Sequence, residues 1–234
     1  SDVCSSDLMG LGKTIQTVAF LNFLYSFMNM KGPFLIIAPL STLEHWKRSV
    51  ENWSTMNGVL YYDPEGQPGR DKCRETEFYS IDISMKGIAA LNRQLPKFHI
   101  LITSFEVFMK DLDLVFRDIA FQHIVVDEAH RLKNQNARLM QALKALPCQR
   151  LMLLTGTPIQ NNIQELWTLL NLIAPAEFHS SVAFNEKFGK LESADAVTKL
   201  HSVLKPYLLR RLKQDVEQGI PPLRETIIDV EMTP

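Results

Sequence analysis

Cysteine is scarce in this chain. Cys4, Cys73 and Cys148 are odd in number and lack metal-ligand spacing, which argues against a disulfide framework and for a reducing intracellular compartment. Neither sign of charge prevails, with 25 Lys plus Arg against 26 Asp plus Glu, so any surface for nucleic acid must be a local patch. Long apolar runs are missing too. Val18 to Phe27 and Leu151 to Leu154 are too short or too interrupted to span a bilayer, nothing at the N-terminus reads as a signal peptide, and a soluble protein is expected. There is no internal repeat or low-complexity tract, and His45, His99, His123, His179 and His201 show no ligand spacing and receive no function. The 234 residues suffice for one large α/β domain, or one domain plus the start of another.

One further absence concerns the segment Met9-Gly-Leu-Gly-Lys-Thr14. A glycine-rich phosphate loop normally hangs from a buried strand, yet Ser1 to Leu8 is polar and has no β-branched run. A coding sequence for these residues matches the end of a common sequencing-library adapter read in frame. Residues 1–8 are therefore expected to be non-native, with native sequence starting near Met9.

From Thr14 to Met28 the pattern predicts a helix largely buried against a sheet and ended by Gly32-Pro33. Phe34 to Ala38, His99 to Thr103, His123 to Asp127 and Leu151 to Leu154 each read as a buried parallel strand, and Val59 to Tyr62 as a weaker one. Helical patterns alternate with them, on Leu43, Trp46, Val50 and Trp53 and on Leu139, Ala142, Leu143 and Leu146, as in a doubly wound α/β sheet. Trp46 and Trp53 share a helical face and are expected in the core. The stretch from Asp63 to Pro96, helical around Arg70 to Tyr79, reads as a surface excursion. Beyond Thr155 come a helix on Ile163, Leu166, Trp167, Leu170 and Ile173, stopped before Pro175, and two more over Ser181 to Leu191 and Ala194 to Leu204. Pro221-Pro222 breaks the chain before a strand-like Thr226 to Met232. The expected division is residues 9–174 for the nucleotide-binding lobe, 175–220 for a helical extension, and 221–234 for the start of a second lobe.

The chemistry lies in three strings. Gly10, Leu11, Gly12, Lys13 and Thr14 form a turn whose backbone N–H groups can cradle phosphates, with an ammonium for the terminal ones and a hydroxyl for magnesium. The general pattern asks for glycine where Asp7 stands, and a glycine turn that merely caps a helix is the bland alternative. In Ile124-Val125-Val126-Asp127-Glu128 a strand delivers two carboxylates at its end, Asp127 suited to hold magnesium through water and Glu128 to orient or deprotonate an attacking water. An acidic helix start would account for that string alone. Thr155-Gly156-Thr157-Pro158 follows another strand, where its hydroxyls could sense a γ-phosphate through His130; by itself it would be an ordinary strand-to-helix turn. Ser41-Thr42-Leu43-Glu44 reads as a capping box.

In this order the strings resemble the Swi/Snf-type chromatin-remodelling ATPases of the helicase-like superfamily. Ala38 to Leu43, Ile102 to Glu106, Asp127 to Asn134, Leu154 to Asn161 and Leu208 to Lys213 look like that family's successive signatures. Arg131-Leu132-Lys133-Asn134, Leu204 to Glu217 and Glu225 to Glu231 look most like its chromodomain-helicase-DNA-binding branch, the Kismet-like group in particular. The resemblance implies a RecA-like first lobe, a P-loop NTPase with a mostly parallel sheet and helices on both faces. It implies ATP and Mg2+ as cofactors, a nuclear location, and duplex DNA, nucleosomes and a second RecA-like lobe as partners. It further implies catalytic roles for Lys13, Asp127, Glu128 and His130, and DNA contacts from Ser41, Thr42, Ser104 and Lys133. For Arg210 and Arg211, beside Lys213, a solvated helix face and a contact steadying DNA or the neighbouring lobe are equally open. Thr155, Gly156 and Thr157 would couple the nucleotide to the rest.

The chain departs from the family where Asp7-Leu8 replaces Asp-Glu, and the adenine-recognising segment and the second lobe's arginine fingers are absent from it. Since such a finger is worth roughly a thousandfold in turnover, this polypeptide is expected to hydrolyse little ATP while its full-length parent is a DNA-stimulated ATPase. An RNA helicase of the same superfamily and a non-catalytic nucleotide- or DNA-binding module are the alternatives.

Overall fold

The computed structural model describes residues 12–78, 96–133, 137–156, 163–189 and 194–209, with the side chains of 133, 137 and 194–197 outside that description. Five parallel strands form its sheet: β1 (Phe34–Ala38), β2 (Gly58–Leu60), β3 (Ile100–Ser104), β4 (Phe121–Val126) and β5 (Cys148–Leu153), in the order β2-β3-β1-β4-β5. This is the doubly wound arrangement expected from the alternating runs.

Strand β1 is central and buried at every residue, which explains why it reads as an unbroken apolar run. The period of two is still present inside it. Leu35 and Ile37 join Leu101, Ile124, Val126 and Leu153 on one face, while Phe34, Ile36 and Ala38 join Ile100, Ile102, Val125 and Met152 on the other. Helices α1 (Lys13–Ser26) and α2 (Leu43–Trp53) cover the second face with Val18, Leu21, Trp46 and Val50. The first face is covered by α4 (Phe105–Lys110), α5 (Ala137–Ala145) and a cluster of rings including Phe78, Phe98 and Phe116. Helix α6 (Ile163–Ile173) serves two cores. Leu169 and Leu172 reach the sheet, whereas Leu166 and Leu170 pack with Phe184 and Phe188 of α7 (Ser181–Phe188) and Leu200 and Leu204 of α8 (Ala194–Leu204).

Several local expectations give way to tertiary context. Helix α1 stops at Ser26, short of Met28, and α7 stops at Phe188, short of Leu191. Strand β5 begins at Cys148, ahead of Leu151, because pairing with β4 recruits the polar Gln149 and Arg150, which stay exposed. Trp53 is 58% exposed although it shares a face with the wholly buried Trp46, since α2 ends there and runs past the core. The capping box does not form. A 3-10 turn over Leu40–Thr42 precedes α2, Thr42 Oγ1 donates to Pro39 O at 2.9 Å, and neither hydroxyl caps the helix.

Of the segment read as a surface excursion, the described residues 63–78 are exposed or half-buried with two exceptions, and residues 79–95 lie outside the described residues. Helix α3 (Gln67–Cys73) and the π-wound turn Arg74–Phe78 bury Arg70 and Phe78. Arg70 Nε donates to Asp111 Oδ2 at 2.7 Å, Tyr61 OH donates to the same oxygen at 2.8 Å, and Arg74 Nη1 donates to the Tyr61 oxygen at 3.0 Å. Burial pushes the Asp111 carboxyl up, but the hydrogen bonds from Arg70 and Tyr61 outweigh it and hold it below the usual range. Burial and the bond to Asp111 push Tyr61 up to about 12. A fully partnered network of this kind fixes how the excursion seats on the sheet.

Candidate nucleotide site

Every described residue of the three motifs stands at the carboxyl ends of the strands or at the helix start that faces them, the usual ligand side of an open α/β sheet. Gly12 is the N-cap of α1 with φ 73°, a left-handed conformation that glycine adopts without strain. The first intrahelical bond is Gln16 N–H to Gly12 O at 2.9 Å, so the preceding N–H groups at the helix start point outward without intrahelical acceptors. No acidic residue occupies the first turn of α1. That leaves the positive end of the helix dipole for an external anion.

Asp127 follows directly on β4 and is 7% exposed. Its backbone N–H donates to Ile37 O at 2.8 Å, which sets the residue against the end of the central strand. Its carboxylate is held at both oxygens: Oδ1 accepts the Glu128 N–H at 2.9 Å and Oδ2 accepts the Trp46 indole N–H at 3.0 Å. Burial raises the Asp127 carboxyl above its ordinary value, while Trp46, the Glu128 amide and the Lys13 ammonium pull it back.

Glu128 has φ 49°, a strained region for a residue with a side chain, of the kind that concentrates at functional sites. The turn is anchored by Ala129 N–H to Leu154 O at 2.7 Å, adjacent to Thr155. His130 Nδ1 lies 3.0 Å from Glu128 Oε2, which places the ring beside the carboxylate. Gly156 closes the arrangement. A Cβ there would lie 3.0 Å from Lys13 Nζ and 3.8 and 3.9 Å from the Glu128 carboxylate oxygens, so ammonium and carboxylate flank one point on the β5 side.

Thus Lys13, Asp127, Glu128, His130 and Gly156 come together, and Thr155 is buried beside them. Thr14 follows Lys13 in the first turn of α1, half-buried. Ser41 is exposed and Thr42 half-buried in the turn before α2. Ser104 is 1% exposed and its Oγ accepts the Val107 N–H at 3.2 Å, so it caps α4 and has no free surface here. Gly10, Leu11, Thr157, Arg210, Arg211 and the side chain of Lys133 lie outside the described residues, as do residues 1–8 and 221–234. Sequence reasoning missed Trp46 as a partner of Asp127. Their 81-residue separation leaves no local signal.

Among the described residues no three His, Cys, Asp or Glu gather into a metal cage. The donors instead fit Mg2+, which is commonly held by one or two carboxylates together with phosphate oxygens and water. Nor is any described helix long and apolar enough to cross a membrane.

A glycine-started helix, a lysine and two strand-end acids on a parallel sheet define a P-loop NTPase lobe of RecA-like fold. The chain belongs to the SNF2-related domain family, whose profile matches residues 6–234. It is 44% identical over 97% of its length to chromodomain-helicase-DNA-binding protein 6 of Rattus norvegicus, and 44% identical over 97% to chromodomain-helicase-DNA-binding protein 8 of Danio rerio. It spans 8% and 9% of those relatives. Among solved structures it matches the Sulfolobus solfataricus SWI2/SNF2 ATPase core in complex with dsDNA, with a TM-score of 0.71 and 28% identity, over 92% of this chain and 41% of that one.

Proposed function

We propose that the chain is the ATP-binding first lobe of a nuclear, DNA-stimulated ATPase that translocates on duplex DNA and slides nucleosomes, working with a second RecA-like lobe. The observation that carries this is the meeting of Lys13, Glu128 and Gly156, from three segments far apart in sequence, with Asp127 within electrostatic reach of Lys13. The match to an ATPase core in complex with dsDNA favours duplex DNA over RNA as the polymer. The working division is residues 9–174 for the lobe, 175–220 for the helical extension and 221–234 for the opening of the second lobe.

In this reading the N–H groups from Gly10 to Thr14 receive the phosphates and Lys13 neutralises the terminal ones. Thr14 and Asp127 would hold Mg2+, which when bound would offset phosphate charge. Glu128, carried on its strained backbone beside His130, orients the attacking water and accepts its proton. The Ala129–Leu154 bond links this turn to Thr155, Gly156 and Thr157, which pass the nucleotide state on. Ser41, Thr42 and Lys133 contact DNA phosphates, Ser104 shapes the surface by starting α4, and Arg210 and Arg211 steady the DNA or the second lobe. Without an arginine finger, hydrolysis by the isolated chain is roughly a thousandfold or more below that of a complete motor.

The test is titration of a fluorescent ATP analogue with Mg2+ into the chain and into Lys13→Ala and Asp127→Asn variants, followed by binding of duplex DNA and RNA. Micromolar binding lost in Lys13→Ala, with DNA preferred, supports the proposal. Equal binding by both variants, or a preference for RNA, refutes it.

A further inference from the structure

Trp46 has no exposed surface and belongs to the apolar core that α1, α2 and the sheet share, with Val18, Leu21, Val50 and Val125. A buried indole needs an acceptor for its N–H. Here the acceptor is a carboxylate at the mouth of the nucleotide site, across 81 residues at 3.0 Å. Because Oδ1 is already taken by the Glu128 amide, the two bonds together fix the plane of the Asp127 carboxylate and thereby the direction of its remaining lone pairs. Loss of a side chain that holds a metal ligand in this manner typically costs about 10- to 100-fold in metal affinity.

Trp46 also stands one helical turn beyond Thr42, the N-cap of α2, which follows the exposed Ser41 in the preceding 3-10 turn. With its ring enclosed on all sides, the indole cannot follow Asp127 independently of α2. Displacement of that helix start is therefore transmitted to the carboxylate.

We propose that Trp46 is a positioning residue: its indole N–H sets the Asp127 carboxylate for the metal–nucleotide complex and mechanically ties that carboxylate to the start of α2. This rests on the reading of Asp127 as a Mg2+ partner. Nitrogen-15 spectra of the whole chain contain one indole N–H signal from each of Trp46, Trp53 and Trp167, and Trp46→Phe assigns the first. Adding MgADP is expected to shift the Trp46 signal and leave that of the exposed Trp53 in place.

In parallel, the ratio of ADP affinities with and without Mg2+ is expected to fall roughly tenfold in Trp46→Phe, as for other groups that orient a metal ligand. Loss of packing alone would weaken both affinities together. Asp127→Asn separates the two levels. If it keeps the full Mg2+ effect, the assignment of Asp127 is wrong. If it loses that effect while Trp46→Phe keeps it, or while the Trp46 signal of the unaltered chain stays still, the role of Trp46 is overturned.

Discussion

Replacing Gly156 with alanine puts a methyl carbon 3.0 Å from Lys13 Nζ and 3.8 and 3.9 Å from the Glu128 carboxylate oxygens. Only the first approach is too close. It falls on the tip of a flexible side chain rather than on backbone, so the ammonium yields by about half an ångström to reach an ordinary contact distance and the fold does not change. Gly156 is not in the left-handed region, so the new Cβ brings no backbone strain. A hydrogen bond to a charged partner contributes about 1.5–3 kcal/mol, and a displaced lysine forfeits part of its bond to phosphate. A loss of about 1–2 kcal/mol means nucleotide binding weaker by roughly 5- to 30-fold. Calorimetric titration of the Mg2+–nucleotide complex into both forms measures this, with thermal unfolding alongside, where the midpoint should move by no more than about 2 °C. Unchanged affinity would show that Lys13 does not reach the phosphates past Gly156. A midpoint lowered by many degrees would show that the glycine serves packing instead.

Removing one member of the buried Arg70–Asp111 pair strands the other, so Asp111→Ala should cost about 3–5 kcal/mol in urea unfolding, with nucleotide binding by the folded fraction retained. The folded carboxyl of Asp111 lies below its unfolded value, so its contribution is complete above about pH 4 and disappears as pH falls through the folded pKa. Asp111→Asn should accordingly flatten the acid limb of the stability profile, and an unaltered limb would refute the assignment. Gly12→Ala meets no atom within 4 Å yet must hold φ 73°, so it should destabilise by about 1–2 kcal/mol through backbone strain, measured by thermal unfolding. No change would mean that the turn relaxes freely.

Much of this architecture was legible beforehand because the buried strands leave a local trace. Phe34 to Ala38 is apolar throughout since both its faces are covered, and Asp127 and Glu128 stand out as acids closing such a run. The capping box at Ser41 does not form because a 3-10 turn, closed by Thr42 N–H to Pro39 O at 2.9 Å, shifts the N-cap to Thr42, whose own hydroxyl donates back to Pro39 O. Trp53 was misread because seven-residue spacing reports a helix face and not where that face leaves the core. The burial of Arg70, within the stretch read as a surface excursion, left no local signal because its partner, Asp111, is 41 residues away.

Residue order alone therefore determined the alternation of strands and helices, the chemical types at the strand ends and the family. Those follow from periods of two and 3.6 and from short strings, which survive without knowledge of neighbours. Only the tertiary structure decided that Trp46 grips Asp127, that Arg70 is buried, and that Lys13 and Glu128 flank Gly156. Such contacts depend on which strands adjoin and which helix lies over them, and that order is set by the packing of the whole sheet.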